Sequence, residues 1–367
     1  MDKKKVGILT FHRAINYGAV LQAYALRHKI TEYGFDCDII DYYCPAIEDG
    51  NFRINVKGEK IKTKVKKLLT WPVQSCRNKK FTDFVRQYLL CDNAKRYSKD
   101  NIKECDNRYD YYIVGSDQVW SPLCTAGDTT YFLDFVSDSK KKNSYAASIG
   151  LAKENFFNPQ ICKLINDFNN ISIRESSKVA YIQSLLTSPA KDVVCCVDPV
   201  FLLSQTQWDD IASPVKINDY VLVYSLALPK EVYAFAEKFA HDKKLKLIIC
   251  TFNNLSSYLH GKETVIASPT EFLSYLKNAQ YVMTNSFHGT AFSIIYNKNF
   301  ITITNSNPNH DNSRLYNILD ALGLLDRLQK YENIYWPSSN IDYVEVNNRL
   351  SYQVDESENY LKNIFVI

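Results

Sequence analysis

The segment Tyr281–Thr304 reads YVMTNSFHGTAFSIIYNKNFITIT, and its pattern changes twice. The apolar run before Thr284 is typical of a buried strand, and the small and apolar residues from Thr290 onward have helical spacing. Residues 300–304, FITIT, have the alternation of a second strand. A strand, a helix and a strand joined by short connections predict a unit of a parallel α/β sheet.

His288 lies on the strand-to-helix turn of this segment. Such a turn presents backbone N–H groups and the positive end of a helix dipole, and Gly289 has no side chain to block a ligand. The turn therefore predicts an anion site that includes Ser286, His288, Gly289 and Thr290. Alternatively, Asn285 or Ser286 caps the helix and His288 only fills a polar corner, and the turn by itself leaves both readings open.

Similar strand-like runs recur on both sides of this segment and alternate with helical ones. Several end in a polar residue where a parallel strand would leave its sheet, which is the edge where open α/β sheets bind ligands. We therefore predict an α/β protein of two Rossmann-like domains that face a central cleft. The polar residues at the strand ends are Asp117, Ser148, Arg174 and Asp198.

A Pro-containing polar stretch, WDDIASPVKIND at residues 208–219, predicts the domain junction. We expect an N-terminal domain over residues 1–210, with a lysine-rich helical insertion at about 51–105. A C-terminal domain should span 211–330, and residues 331–367 should form a tail whose helix packs back on the body.

Composition narrows the class of protein. The chain has 367 residues and a net charge of +4, which is too mild to indicate nucleic-acid binding. Its ten cysteines lack CxxC pairs or metal-type spacing with histidine, so we expect reduced thiols and no metal. Without a signal-peptide pattern or an apolar run of about 18 residues, the sequence predicts a cytoplasmic protein.

One local segment is strongly basic. Lys57–Lys80 contains nine Lys or Arg residues against one Glu, with apolar residues between them. A solvated helix face is one interpretation, and contact with a membrane surface is the other.

Several segments together resemble the polysaccharide pyruvyl transferase family. They occur in the family's order and run from about Gly7 to Leu324. Residues 51–105 match less well. The segments are GILTFHRAINYGAVLQAYAL, YIVGSDQVW, SYAASIG, ISIRE, VDPVFLL, TNSFHGTAFSIIYN and RLYNILDALGL.

The resemblance implies a GT-B-like fold and transfer of a pyruvyl group from phosphoenolpyruvate to two hydroxyls of a sugar, without a further cofactor. It implies that Arg174 and His288 hold the donor. Some members carry an Arg just ahead of this His, where the present chain has Ser286 and Phe287. Arg314 is our candidate for that missing cation.

The chemistry needs one general acid, one general base and anion ligands. His288 suits the acid because its unperturbed pKa is about 6.5. Arg174 offers a planar fork to an anion, unless it only pairs with a neighbour such as Glu175. Asp117 could accept a proton from a sugar hydroxyl, unless it only caps the next helix.

The loop Asn16, Tyr17 and Gly18 is the candidate acceptor site, with simple loop geometry as the alternative. The remaining histidines, His12, His28, His241, His260 and His310, have no comparable setting. Single replacements of Arg174 or His288 are expected to lower turnover while leaving thermal stability nearly unchanged.

Two other functions stay open at this point. One is a glycosyltransferase that uses a nucleotide sugar on the same architecture, and the other is a non-catalytic glycan-binding protein. We expect a lipid-linked or oligosaccharide acceptor as the partner of the enzyme.

Overall fold

The computed structural model describes residues 3–52, 61–152, 154–225, 229–252, 264–304 and 312–366. The chain divides into two compact units. Unit 1 contains residues 1–50, 85–203 and 348–367, and unit 2 contains residues 51–84 and 204–347.

Unit 1 is built on parallel strands. The order of its main sheet is β2-β1-β3-β4, and the pair β5-β6 continues from β4 through the bridges Asn143 to Asn170 and Ala147 to Ile173. The strands are β1 (Lys5–Leu9), β2 (Asp36–Ile39), β3 (Tyr111–Val114), β4 (Lys142–Ser144), β5 (Ile171–Ile173) and β6 (Val193–Cys195). The α-helices are α1 (Tyr17–Glu32), α2 (Pro45–Phe52), α4 (Pro122–Thr125), α5 (Pro159–Asn166) and α6 (Val179–Ser184), with α2 ending at the border of unit 2.

Unit 2 contains a six-stranded parallel sheet of order β12-β11-β10-β7-β8-β9. Its strands are β7 (Tyr220–Ser225), β8 (Lys246–Thr251), β9 (Thr264–Val265), β10 (Tyr281–Thr284), β11 (Asn299–Thr304) and β12 (Leu328–Lys330). Its helices are α3 (Ile61–Phe84), α7 (Gln205–Ile211), α8 (Lys230–Asp242), α9 (Pro269–Asn278), α10 (Phe287–Ile295) and α11 (Ser313–Ala321).

The central strands of both sheets are buried except at the first residue of β1, β3 and β10. Val6, Ile8 and Leu9 of β1 are inaccessible to solvent, as are Val221 and Val223 of β7. Parallel strands covered by helices on both faces require such continuous apolar runs. The predicted α/β class with parallel sheets is therefore confirmed.

The basic helix α3 belongs to unit 2, whereas we expected residues 51–105 to be an insertion in the N-terminal domain. Arg77 donates to the carbonyl of Thr251 at 2.9 Å, and Lys80 forms an ion pair with Glu271 at 2.6 Å. Phe81 is buried. The carboxyl-terminal part of α3 is thus packed against strand β8 and helix α9.

The final helix, α12 (Tyr343–Phe365), begins in unit 2, and its residues from 348 onward belong to unit 1. There Tyr360 donates to the carbonyl of Ser144 at 2.8 Å, and Glu358 pairs with Lys29 at 3.0 Å. These contacts fix the end of the chain on the unit 1 sheet.

Candidate functional site

Each sheet has one point where the chain changes direction across it. In unit 1 the chain runs from β1 to β2 on one side and then places β3 on the other side of β1. In unit 2 it runs from β7 outward through β8 and β9, and then places β10 on the other side of β7. Ligands of open α/β sheets bind beyond the carboxyl ends of strands at such switch points.

Three of the predicted site residues lie on the connections that follow strands at these switch points. Asn16 follows β1 and Asp117 follows β3 in unit 1, and His288 follows β10 in unit 2. Arg174 follows β5 of unit 1 and lies further along the same carboxyl edge.

The turn after β3 is shaped by Gly115. This residue has φ of +132°, and a Cβ there would lie 2.0 Å from the carbonyl oxygen of Tyr145, so only glycine fits. Two residues later in the same turn, Asp117 has a left-handed φ of +65°. Its carboxylate accepts a hydrogen bond from the backbone N–H of Gln118 at 2.9 Å. The alternative that Asp117 caps the next helix is wrong, because α4 begins at Pro122 after Ser121.

Arg174 lies between two carboxylates. Its Nη1 donates to Asp198 Oδ2, and its Nη2 lies 3.5 Å from Asp117 Oδ1. The Arg174 side chain is 3% exposed and that of Asp198 is fully buried. Burial alone would lower the pKa of Arg174, but Asp198, Asp117 and Glu175 outweigh burial and raise it. The guanidinium is therefore charged and ion-paired.

These contacts bear on two expectations about Arg174. Its ion-pair partners in the structure are Asp198 and Asp117, where we considered Glu175. Loss of the guanidinium would leave a buried carboxylate without its cation, which is strongly destabilising. From the sequence we expected its replacement to leave thermal stability nearly unchanged, and from this ion pair we now expect a loss of stability.

The other polar strand ends of unit 1 join the same network. Ser116 Oγ donates to Asp198 Oδ2 at 3.3 Å, and the backbone N–H of Ser148 donates to the carbonyl of Asp117 at 2.9 Å. Ser148 Oγ also donates to the buried carboxylate of Glu175. The structure thus brings together Asp117, Ser148, Arg174 and Asp198, as their positions at strand ends suggested.

His288 is the second residue of α10 and is 5% exposed. Its ring contacts Phe287 edge-on, with 5.2 Å between the ring centroids. Ser286 caps the helix, since its hydroxyl accepts from the N–H of Gly289 at 3.4 Å. The helix therefore directs the positive end of its dipole to the carboxyl edge of the unit 2 sheet.

Gly289 is explained by packing inside unit 2. A Cβ at this position would lie 2.3 Å from Thr284 Oγ1 and 2.7 Å from the ring of Tyr224. The sequence suggested close approach of a ligand, but the structure shows close approach of α10 to its own sheet.

The other predicted donor ligands have structural contacts as well. Thr290 is buried, and its hydroxyl lies 2.8 Å from that of Thr302 and donates to the carbonyl of Ser286 at 3.1 Å. Arg314 is half-buried in the first turn of α11.

At the predicted acceptor loop, Asn16 caps α1. Its side-chain oxygen accepts from the N–H groups of Gly18 at 2.9 Å and Ala19 at 3.4 Å. Tyr17 is only 2% exposed, so its ring offers almost no stacking surface for a sugar in this structure.

A polar cluster that we did not predict from the sequence lies at the unit 1 switch point. His12 is buried, and its Nε2 lies 3.0 Å from Asp41 Oδ1. Arg13 donates to both oxygens of Asp41 at 2.6 Å. From the sequence we gave His12 no setting comparable to that of His288, whereas the structure places it in this buried cluster. The available signal was its position three residues after the end of β1, on the ligand-binding edge.

Neither a metal-ligating cluster nor a membrane-spanning helix is present among the described residues. Within them, no group of three or more His, Cys, Asp or Glu side chains is arranged to hold a metal ion. No helix in the same part of the chain has the length and apolar character needed to cross a membrane.

The sequence matches the model of the polysaccharide pyruvyl transferase family over residues 16–307. No curated protein matches it significantly. A Listeria monocytogenes protein assigned as a UDP-N-acetylglucosamine 2-epimerase shares its fold with a TM-score of 0.51 and 10% identity, over 99% of this chain and 91% of the other. ADP-heptose lps heptosyltransferase II of E. coli aligns with a TM-score of 0.40 and 9% identity, over 96% and 99% of the two chains.

At 10% identity the Listeria structure informs about the fold alone. Together with the two parallel sheets, it confirms the predicted pair of Rossmann-like domains of the GT-B type.

Proposed function

Because this chain belongs to the polysaccharide pyruvyl transferase family, we propose that it moves a pyruvyl group from phosphoenolpyruvate to two hydroxyls of one sugar. The product is a cyclic ketal on a precursor of a surface polysaccharide, and inorganic phosphate is released. The family match over residues 16–307 is the observation that carries this proposal.

The steps of this reaction determine which catalytic groups the protein must supply. A proton is added to the methylene carbon of the donor, and the first sugar hydroxyl attacks the resulting oxocarbenium-like carbon and loses its proton. The C–O bond to phosphate then breaks, and the second hydroxyl closes the ring and loses its own proton. The protein must therefore supply a general acid, a general base and groups that bind the donor's carboxylate and phosphate.

We assign His288 as the general acid and as a ligand of the donor phosphate. It lies at the amino end of α10, where the helix dipole favours an anion. Ser286, Gly289 and Thr290 form the same turn. Their backbone N–H groups already donate to Thr284 Oγ1, Ser286 Oγ and the carbonyl of Ser286, so these residues are assigned to the donor site because they shape the positive end of the helix.

We assign Asp117 as the general base. Its position at the unit 1 switch point and its 8% exposure support this assignment. Arg174 is assigned to the donor, with Arg314 as a second cation. The loop Asn16, Tyr17 and Gly18 is assigned to the acceptor by its position after β1 at the switch point, without stacking on the buried Tyr17 ring. The ion pair between Arg174 and Asp117 supports a linked role, since an anion that binds Arg174 would compete with this carboxylate.

Donor turnover tests this function against its two alternatives. Purified protein is incubated with phosphoenolpyruvate and a lipid-linked sugar acceptor, and the products are analysed by mass spectrometry. Phosphate release with a pyruvylated acceptor is the expected result. Release of UDP or GDP from a nucleotide sugar would instead identify a glycosyltransferase. Sugar binding without release of either product would identify a glycan-binding protein.

We further propose that the enzyme acts in the cytoplasm at an anionic membrane surface, held there by the amino-terminal part of Lys57–Lys80. Arg77 and Lys80 are bound within unit 2, so only the lysines before them are assigned this role. Lys57 and Lys60 lie outside the described residues, and the side chains of residues 61–69 are likewise not described.

A variant with Lys60, Lys62, Lys64, Lys66 and Lys67 all changed to Gln tests the membrane proposal. Each basic residue near an anionic surface contributes about 1 kcal/mol, so this variant should no longer sediment with phosphatidylserine-containing liposomes. A matched variant with five exposed lysines of unit 1 changed to Gln is the control. Equal sedimentation of both variants would contradict the proposal.

A further inference from the structure

We propose that Arg13 is an oxyanion-binding residue at the unit 1 switch point, held in place by Asp41 and supported by His12. This inference uses the proposed function only to name the substrates that carry such an oxyanion. The geometry of the cluster and its place on the sheet are independent of that function.

Asp41 fixes the orientation of the Arg13 guanidinium. Nε and Nη2 of Arg13 each donate to a different oxygen of this carboxylate at 2.6 Å. Asp41 is only 4% exposed, and it follows the buried strand β2. A bidentate pair with a buried carboxylate leaves the planar fork little freedom, which lowers the entropic cost of binding a ligand.

His12 supports Asp41 from behind this pair. Its Nδ1 lies 3.1 Å from the carbonyl oxygen of Thr10, and its Nε2 lies 3.0 Å from Asp41 Oδ1. These two contacts hold the imidazole ring against Asp41 on the side away from the solvent, since His12 and Asp41 are both buried.

The carboxylates near Arg13 leave its guanidinium charged. Glu48 is the further carboxylate that acts on Arg13, and it is itself paired with Arg96. Burial would lower the pKa of Arg13, but Asp41 and Glu48 outweigh burial and raise it. Arg13 is therefore permanently cationic.

The guanidinium keeps donors for a ligand. An arginine has five N–H donors, and Asp41 takes two of those on Arg13. In the part of the chain that the structure describes, no other residue bonds the Arg13 guanidinium. Its side chain is 21% exposed, in contrast to the buried His12 and Asp41. It is thus the accessible member of the cluster.

The position of the cluster indicates a substrate and not a remote surface ligand. Arg13 is on the loop between β1 and α1. At the switch point, this loop and the loop that follows β3 leave the sheet in opposite directions, and ligands bind in the crevice between two such loops. A free guanidinium edge matches two oxygens of a phosphate or carboxylate. Under the proposed function this group belongs either to phosphoenolpyruvate or to the diphosphate of a lipid-linked acceptor.

Calorimetric titration separates these two sources. Phosphoenolpyruvate and inorganic pyrophosphate are titrated separately into the wild type and into the variants Arg13→Gln, Arg13→Lys and Arg86→Gln. Arg86 is an exposed arginine of the same unit and serves as the matched control. Binding is measured without turnover, so failure of the proposed reaction would not affect this test.

Arg13→Gln should weaken binding of one probe by about 10- to 100-fold, as loss of a charge-assisted bidentate contact requires. Arg13→Lys should restore only part of that loss, and Arg86→Gln should have no effect. A loss confined to phosphoenolpyruvate places the donor at Arg13, and a loss confined to pyrophosphate places the acceptor's diphosphate there.

Two results would overturn the inference. One is binding of both probes by Arg13→Gln with wild-type affinity, and the other is failure of the wild type to bind either probe. If Arg13→Gln does not fold, Arg13→Lys decides, because it keeps a cation beside Asp41 but loses the fork. Wild-type affinity of Arg13→Lys would then reject an oriented contact.

Discussion

The carboxyl edges of the two sheets have related topologies but different chemistry. The edge of unit 1 holds fixed charges in ion pairs, with Arg174 between Asp198 and Asp117 and Arg13 on Asp41. The edge of unit 2 has a helix amino terminus surrounded by hydroxyls. These hydroxyls belong to Thr284, Ser286, Thr290 and Thr302, which are all buried.

Because of this difference, the loss of a site side chain should affect stability and the reaction to different degrees in the two units. In unit 1 a site residue is also a counter-ion for a buried charge, so its removal should damage the fold and the reaction together. In unit 2 the proposed anion site relies on the helix dipole and one histidine, so loss of the histidine side chain should affect the reaction more than the fold.

Arg174→Ala should have the largest effect. It leaves Asp198 buried without its cation, which costs about 3–5 kcal/mol of unfolding free energy, and it removes a proposed donor ligand. Turnover should fall by at least about 100-fold. Urea unfolding and phosphate release measure the two effects, and Arg174→Lys should keep more stability than Arg174→Ala. Unchanged stability in Arg174→Ala would remove the contrast between the two edges.

His288→Gln should lower turnover by at least about 100-fold, because glutamine cannot donate a proton as imidazolium does. Its melting temperature should fall by less than that of Arg174→Ala, since the neighbouring Phe287 ring and Ser286 cap are uncharged. His241→Gln is the control, because the side chain of His241 is 90% exposed. A stability loss as large as that of Arg174→Ala would show that His288 is chiefly structural.

Asp117→Asn should reduce kcat with little change in the KM for phosphoenolpyruvate. An amide cannot accept the proton of a sugar hydroxyl, and loss of a general base costs about 100- to 10,000-fold. The amide oxygen can still accept from the N–H of Gln118, and Asp198 still neutralises Arg174, so stability should change little. Steady-state kinetics and thermal unfolding check both parts. A rise in KM alone would instead assign Asp117 to binding.

The smallest effect concerns acid stability through Asp41. Burial would raise the pKa of Asp41, but hydrogen bonds from Arg13 and His12 outweigh burial and hold it well below its usual range. A lowered pKa stabilises the fold above the unfolded-state value of about 3.9, and this contribution is lost as the pH falls below that value.

Asp41→Asn should therefore be less stable than the wild type at neutral pH, and the difference should shrink as the pH falls from about 5 to about 2. Urea unfolding at several pH values measures this, and Asp100→Asn, at an exposed position, is the control. A constant difference across this range would contradict the assigned ion pair.

The two edges also differ in how much of each could be predicted from the sequence. The turn Ser286 to Thr290 was identified from local pattern, because a strand end, a cap and a helix start are adjacent in the chain. The ion pairs of Arg174 were missed, since Asp117 and Asp198 are far from it in sequence and nothing in the pattern pairs them. His12 was missed for the same reason, because its partner Asp41 follows a different strand.

The sequence by itself determined the α/β class, the order of strands and helices and the family, because periodicity and motif order are properties of neighbouring residues. The tertiary structure decided the assignment of α3 to unit 2 and the reason for Gly289, because both depend on contacts between distant segments. It also determined which side chains at the ends of different strands form ion pairs. Parallel strands bring their carboxyl ends to one edge, and only the strand order determines which of those ends become neighbours.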